Sequence, residues 1–156
     1  MTSYFVSVAA LVDAANACSG AAFSLDGVDD TDPLFAFGEE LGLHFRHGDK
    51  FEAILTMQLI ALQKVREVVL PGDEVLVEIY GDPATVRRMS SFTPSSRALQ
   101  LQVDQEVGFI KMLGGTIFVS TCDEESQSML DALALAEEAI ETPQMGREAL
   151  RTHLMA

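Results

Sequence analysis

An acid at the end of a buried strand is the residue of this sequence best placed for chemistry. Residues 74–82 read Glu-Val-Leu-Val-Glu-Ile-Tyr-Gly-Asp, and such β-branched and apolar residues are typical of a strand covered on both faces. Pro83 suits the first position of a following helix and Asp82 can cap that helix, so the strand would end in a carboxylate. Because ligands bind at the carboxyl ends of strands in open α/β sheets, Asp82 is a candidate ligand-binding residue.

The cysteines and histidines do not follow the spacing of a zinc site. Cys18 and Cys122 are far apart and form no CxxC pair, so we predict buried thiols in a reducing compartment. His44 and His47 lie on a presumed strand, where surface or half-buried roles are expected because further ligands are missing. The sequence also has no GxxxxGK[ST] loop for binding phosphate.

Composition predicts one acidic globular domain. The chain has 156 residues, 48% of them hydrophobic, and 24 acids against 10 bases give a formal charge of -14. This charge repels nucleic acid and anionic membrane unless a basic patch or bound metal ions compensate. No Lys or Arg precedes Arg46, so a secretion signal is not expected. No apolar run is long enough to span a bilayer, and we expect a cytoplasmic protein without membrane contact.

The hydrophobic pattern predicts a mixed α/β domain over residues 1–143. A C-terminal tail, 144–156, can form a further helix. Short apolar runs are ambiguous, so a helix over 6–18 remains an alternative to the first strand. We predict Asp49 and Glu52 as the capping pair of the clearest helix, and Thr121 and Glu124 as that of the last helix. The predicted elements are strands 4–12, 20–25 and 41–46, helix 50–69, strand 74–82, helices 83–90 and 97–113, strand 116–120 and helix 122–141.

This order of elements resembles the ribonuclease H superfamily over residues 4–140. The resemblance implies a mixed five-stranded sheet with helices on both faces. It also implies four acids at one site, and the matching positions are Asp13 in Leu-Val-Asp-Ala-Ala, Glu52 in Lys-Phe-Glu-Ala-Ile, Asp82 in Tyr-Gly-Asp-Pro and Asp131 in Met-Leu-Asp-Ala. If the first strand ends a few residues earlier, Ala9 or Ala10 takes the position of Asp13.

The resemblance further implies a nuclease that uses two divalent metal ions. Mg²⁺ or Mn²⁺ ions about 3.5–4 Å apart would activate water and neutralise the leaving oxygen during hydrolysis of the RNA strand of an RNA–DNA hybrid. Asp13 and Asp82 would be the main ligands, Glu52 would help bind one ion and orient a water, and Asp131 would complete the second site. Arg87, Arg88 and Arg97 are the candidate substrate-binding residues, because a hybrid is held mainly through its phosphates.

A second hypothesis is a catalytically inactive ribonuclease H-like domain whose acidic surface binds a basic protein partner. Each acid also has a structural explanation: Asp82 and Glu52 suit helix caps, and Asp131 suits the polar edge of a helix. The chain departs from the family pattern in two places. Ala14 and Ala15 replace the glycine-rich turn that often follows the first acid, and the loop before the last acid, Thr121 to Glu125, contains no histidine.

Overall fold

A single mixed sheet organises the structure, a computed structural model that describes residues 1–81, 93–123 and 126–142. Three helices pack on this sheet within the described residues. The predicted helix 83–90 and the tail 144–156 lie outside these ranges. The strands and helices, in chain order, are β1 (Thr2–Asp13), β2 (Cys18–Asp29), β3 (Phe37–Phe45), α1 (Lys50–Val68), β4 (Glu74–Tyr80), α2 (Pro94–Met112), β5 (Thr116–Cys122) and α3 (Gln127–Glu141).

The sheet order is β3-β2-β1-β4-β5. The first three strands form an antiparallel meander, whereas β4 pairs parallel with both β1 and β5. The predicted mixed five-stranded sheet with helices on both faces is therefore confirmed. The alternative helix over 6–18 is wrong, because these residues form most of β1 and the turn into β2, where Asp13 pairs with Cys18.

The main core lies between one face of the sheet and helices α1 and α2. Val6, Val8 and Ala10 of β1 belong to this core, as do Val75 and Val77 of β4. Their spacing of two follows from the alternation of side chains along a strand. Helix α1 begins where predicted, because the Asp49 side chain accepts a hydrogen bond from the Glu52 backbone N–H at 3.1 Å.

Helix α3 covers the opposite face of the sheet, over β1, β2 and β3. Buried Ala9 packs there against Met129 and Ala132. Glycines make the close approach of the helix possible. A Cβ atom at Gly20 would lie 2.7 Å from Ile140 Cγ1, and one at Gly42 would lie 2.9 Å from the Leu135 carbonyl oxygen.

The largest error in the predicted boundaries concerns the start of α3. We predicted a helix from residue 122 with Thr121 as its cap, but β5 continues through Thr121 and Cys122, which pair with β4. The helix begins after Ser126, whose side chain accepts a hydrogen bond from the Met129 backbone N–H at 3.2 Å. A strand that keeps a partner gains ladder hydrogen bonds, and these outweigh a local capping signal.

The acidic connection between β2 and β3 is shorter than its composition suggests. Asp26 and Asp29 belong to β2, while Glu39 and Glu40 belong to β3. The two strands pair from Ser19 with Phe45 to Gly27 with Phe37, so these acids flank a longer antiparallel ladder. Within the described ranges, no helix is long and apolar enough to cross a membrane.

Candidate functional site at the carboxyl ends of the strands

Strand β4 stops just before the acid on which the sequence analysis centres. It ends at Tyr80, and the backbone N–H of Gly81 donates to the Cys122 carbonyl at 3.0 Å, which joins this end to the end of β5. Asp82 itself lies outside the described residues, as do Arg87 and Arg88. Asp13, Glu52 and Asp131, the acids predicted to join Asp82, lie within the described residues.

Asp13 ends β1, as predicted, but its carboxylate serves the β1–β2 turn. The side-chain amide of Asn16 donates to Asp13 at 2.7 Å, and the Asn16 backbone N–H donates at 3.3 Å. These hydrogen bonds, the side-chain one above all, lower the pKa of Asp13 below its ordinary value. The anion is thus stabilised by its own hairpin, without a metal ion.

Alanines occupy the β1 positions nearest the end of β4. The last β1 residue paired with β4 is Val8, opposite Ile79, and Ala9 and Ala10 follow it. Asp13 lies five residues beyond Val8, or about 16 Å at 3.3 Å per residue. Ala9 is fully buried beneath α3 against Met129 and Ala132, so the side of the strand facing α3 is packed with apolar groups at this level.

Glu52 lies in the first turn of α1, on the other side of the sheet from Asp13. A Cβ atom at Gly48, in the segment leading into α1, would lie 3.6 Å from Val12 Cγ1. Because neighbouring residues of a strand point to opposite faces, Asp13 points away from this segment. The Glu52 carboxylate is 3.9 Å from Nε2 of His47, and Glu52 completes the start of the helix through its own backbone N–H.

Asp131 lies on the exposed outer side of α3. Its carboxylate accepts a hydrogen bond at 3.0 Å from Gln127 of the same helix, while its neighbour Ala132 packs on the sheet. Asp13 instead lines a cleft of about 370 Å³ with Ile140 and Glu141, at the far end of α3. Ten residues of helix, about 15 Å, separate Asp131 from Glu141.

Comparisons with known proteins give a clear structural likeness and no sequence match. No protein-family model and no curated protein matches the chain. The N-terminal RNase H domain of Rv2228c from Mycobacterium tuberculosis is 12% identical, with a TM-score of 0.65 over 92% of this chain and 96% of that one. LC11-RNase H1, solved in complex with an RNA/DNA hybrid, is 12% identical, with a TM-score of 0.60 over 89% and 97%. The chain has a ribonuclease H-like fold.

A third solved structure extends this likeness. LC9-RNase H1, a type 1 RNase H with the type 2 active-site motif, is 11% identical, with a TM-score of 0.65 over 92% of this chain and 73% of that one. The shared feature is the arrangement of strands and helices. At such low identity the likeness establishes the fold, and the function must be argued from this chain's own residues.

The described acids of this ribonuclease H-like domain do not fit a shared metal centre. Asp13 serves a hairpin on the α3 side, Glu52 lies on the α1 side, and Asp131 points outward from α3. Residues 1–81, 93–123 and 126–142 contain no group of three or more His, Cys, Asp or Glu that could hold a metal ion. Two-metal sites need several convergent carboxylates, and the described donors do not supply them.

The described bases of the ribonuclease H-like domain lie mostly on one side of its sheet, whereas the helix on the other side carries only acids. Helix α3 carries four acids and no base, and these acids, Asp131, Glu137, Glu138 and Glu141, are all exposed. The described bases other than Arg46 lie on the opposite side, in α1 and α2: Lys50, Lys64, Arg66, Arg97 and Lys111. Arg97, the one described member of the predicted substrate-binding set, is exposed in the first turn of α2.

The sequence analysis missed a second cleft, on the α3 side of β4 and β5. It holds about 270 Å³ and is lined by Phe5, Leu76, Phe118 and Ser128, among others. Phe5 pairs with Leu76, and Leu76 pairs with Phe118, so the three side chains form a row across three strands. Helix α3 makes its main sheet contacts with β1, β2 and β3. The sequence signal for this open surface was the presence of apolar residues at successive positions of β5, which places them on both faces of the strand.

Proposed function

We propose that this chain is a ribonuclease H-like domain that does not hydrolyse nucleic acid and instead binds a basic protein partner through the α3 side. The observation that supports this proposal most strongly is the burial of Ala9, the β1 residue that lies level with the end of β4. The first-strand acid of the family would be needed at this level. An alanine packed against Met129 and Ala132 supplies no oxygen ligand.

The acids of α3 support the binding half of the proposal. Glu137, Glu138 and Glu141 lie in the last two turns of the helix, where the helix dipole disfavours negative charge. Glu137 and Glu141 are also four residues apart, a spacing at which like charges destabilise a helix. These residues cost folding stability, and a cationic partner would turn that cost into binding energy and a faster association rate.

A second candidate function is the two-metal nuclease. It is favoured by the fold likeness, which includes a relative bound to an RNA/DNA hybrid, and by the end of β4 just before Asp82. In this candidate Asp82 would hold Mg²⁺ or Mn²⁺, and Asp13, Glu52 and Asp131, the further ligands that the resemblance implies, would have to leave their separate positions to join it. Such ions would supply an activated water and charge neutralisation when bound. Arg87, Arg88 and Arg97 would contact substrate phosphates.

Hydrolysis of a labelled RNA–DNA hybrid distinguishes the two candidates. We expect the purified protein with Mg²⁺ or Mn²⁺ to give the same background cleavage as Asp82→Asn. Cleavage by the wild type that is lost in Asp82→Asn would overturn the proposal and support the nuclease. Calorimetric titration with Mn²⁺ gives an independent readout, because a carboxylate centre would bind the ion in the wild type and bind it more weakly in Asp82→Asn.

The binding half is tested with a fluorescent oligo-lysine peptide as the cationic probe. A triple variant on α3, with Glu137, Glu138 and Glu141 each changed to Gln, should weaken binding. A matched triple variant, Asp30→Asn, Asp32→Asn and Glu67→Gln, removes the same net charge away from α3 and should weaken it much less. Equal losses in the two variants would show that only the overall charge attracts the probe.

A further inference from the structure

Among the described residues, nothing pairs with the outer edge of β5, and the strand itself carries no charge or proline that would hinder pairing. β5 is the last strand in the sheet order, and no strand of the described part of the chain pairs with its outer edge. Its sequence, Thr-Ile-Phe-Val-Ser-Thr-Cys, contains no charged residue and no proline. Proteins usually protect exposed edge strands with charges or proline, because the free N–H and C=O groups otherwise pair with another chain.

The other edge of the sheet is protected in the usual way. β3 carries Glu39 and Glu40, both exposed. Glu39 is paired with Lys64 at 2.9 Å, so a charged side chain from α1 also lies beside this strand. The two edges of one sheet thus differ in the feature that controls strand pairing.

Exposed apolar side chains are concentrated around the open edge. Phe118 is 57% exposed and Val119 is 48% exposed, and as neighbours in a strand they point to opposite faces. Leu113, in the connection between α2 and β5, is exposed as well. A surface of this kind in a chain with a charge of -14 is typical of a protein–protein contact.

We propose that two copies of this chain pair through β5, antiparallel and around a two-fold axis at Val119, to form a continuous sheet of both copies. Val119 is the middle residue of β5, so Val119 would face its own copy and Phe118 would face Ser120 of the other copy. Both faces of the new ladder would then bury apolar side chains.

An unprotected edge strand can pair with the same edge of a second copy, and the charge distribution makes β5 the surface where a second copy meets the least repulsion. Two copies with a charge of -14 repel each other at most surfaces, and helix α3, which carries four acids and no base, would be an especially unfavourable contact. The β5 strand is uncharged, so it allows close approach with the least repulsion. Pairing through β5 is independent of whether the domain hydrolyses nucleic acid.

Sedimentation equilibrium of the full chain tests the dimer directly. We expect a monomer–dimer equilibrium whose dissociation constant falls as salt is added, because salt screens the repulsion between the acidic copies. Val119→Lys should raise the dissociation constant by about tenfold or more, since it places two like charges opposite each other. Val28→Lys is the matched control, because Val28 is 55% exposed on β2, and it should leave the dissociation constant unchanged.

Disulfide trapping locates the axis. In a Cys122→Ser background, Val119→Cys should form an intermolecular disulfide on mild oxidation, and Val28→Cys should not. A wild type that stays monomeric throughout the concentration range would overturn the proposal. A dimer that Val119→Lys leaves intact, or that Val28→Lys weakens equally, would also overturn it, and circular dichroism establishes that each variant is folded.

Discussion

Asp73 joins three separate parts of the sheet, and its removal should be costly. Asp73 is only 4% exposed. Its carboxylate accepts hydrogen bonds from the backbone N–H groups of Thr2 at 3.0 Å and Leu70 at 2.9 Å. Its own carbonyl accepts from the Thr116 backbone N–H at 3.0 Å. The residue therefore connects the start of β1, the α1–β4 turn and the start of β5.

Asp73→Ala leaves two backbone donors without their acceptor. Taking about 1.5 kcal/mol for each charge-assisted hydrogen bond, we expect the free energy of unfolding to fall by about 3 kcal/mol. For a domain of this size that corresponds to a melting temperature lower by about 6–12 °C. Asp73→Asn keeps an acceptor for one donor only, so a loss of about 1.5 kcal/mol is expected.

Urea unfolding followed by far-UV circular dichroism measures these losses. Asp104→Ala is the control, because it removes the same charge from an exposed site on α2 where Asp104 is bonded only to Gln100 in the described contacts. Its effect should stay within about 0.5 kcal/mol. A loss below about 1 kcal/mol for Asp73→Ala, or an equal loss for Asp104→Ala, would refute the role assigned to Asp73.

Three further predictions concern stability. Hydrogen bonds from Thr31 lower the pKa of Asp29 from 3.8 to about 2. Their contribution to the free energy of unfolding is therefore complete above about pH 4 and is lost as the pH falls towards 2. The difference in urea midpoint between the wild type and Asp29→Asn should shrink over that range. Arg66→Met should cost about 2 kcal/mol in urea unfolding, because it leaves the buried carboxylate of Glu106 without its partner at 3.2 Å. Gly20→Ala should cost about 2 kcal/mol or more, because its Cβ would clash with the α3 backbone, whereas Gly108→Ala, where a Cβ meets nothing within 4 Å, should be neutral or stabilising by thermal unfolding.

The sequence was sufficient for the sheet and for most of the elements because local patterns and tertiary packing agree. The cap at Asp49 matches the structure. Strand β4, predicted to be covered on both faces, is fully buried only at alternate residues, because its α3 side borders the open cleft. Helix α2 starts three residues earlier than predicted, since Thr93 caps it and Pro94 occupies its first turn. Where local and tertiary signals conflict, as at Thr121, the pairing partner decides, and a single sequence does not show the partner.

The geometry of the site was harder to predict, because it depends on the register between distant strands. The end of β1 at Asp13 is correct, yet β1 runs five residues past its last pairing with β4. Which residue lies level with the end of β4 cannot be read from β1 alone. Composition gave the acids, but only the alternation of faces and the direction of α3 show that Asp13, Glu52 and Asp131 point to different places.

The two glycines beneath α3 have a consequence for how this domain can change over time. Any larger residue at Gly20 or Gly42 would lift the helix from the strands below it, and with it every carboxylate on its outer side. Substitution of the exposed acids would have little effect on the fold. Substitution of Gly20 or Gly42 would instead change the distance and tilt of α3 relative to the sheet, and so the position of the acids that a bound partner would contact. In the proposed complex, recognition by this surface would therefore depend partly on two glycines that do not contact the partner.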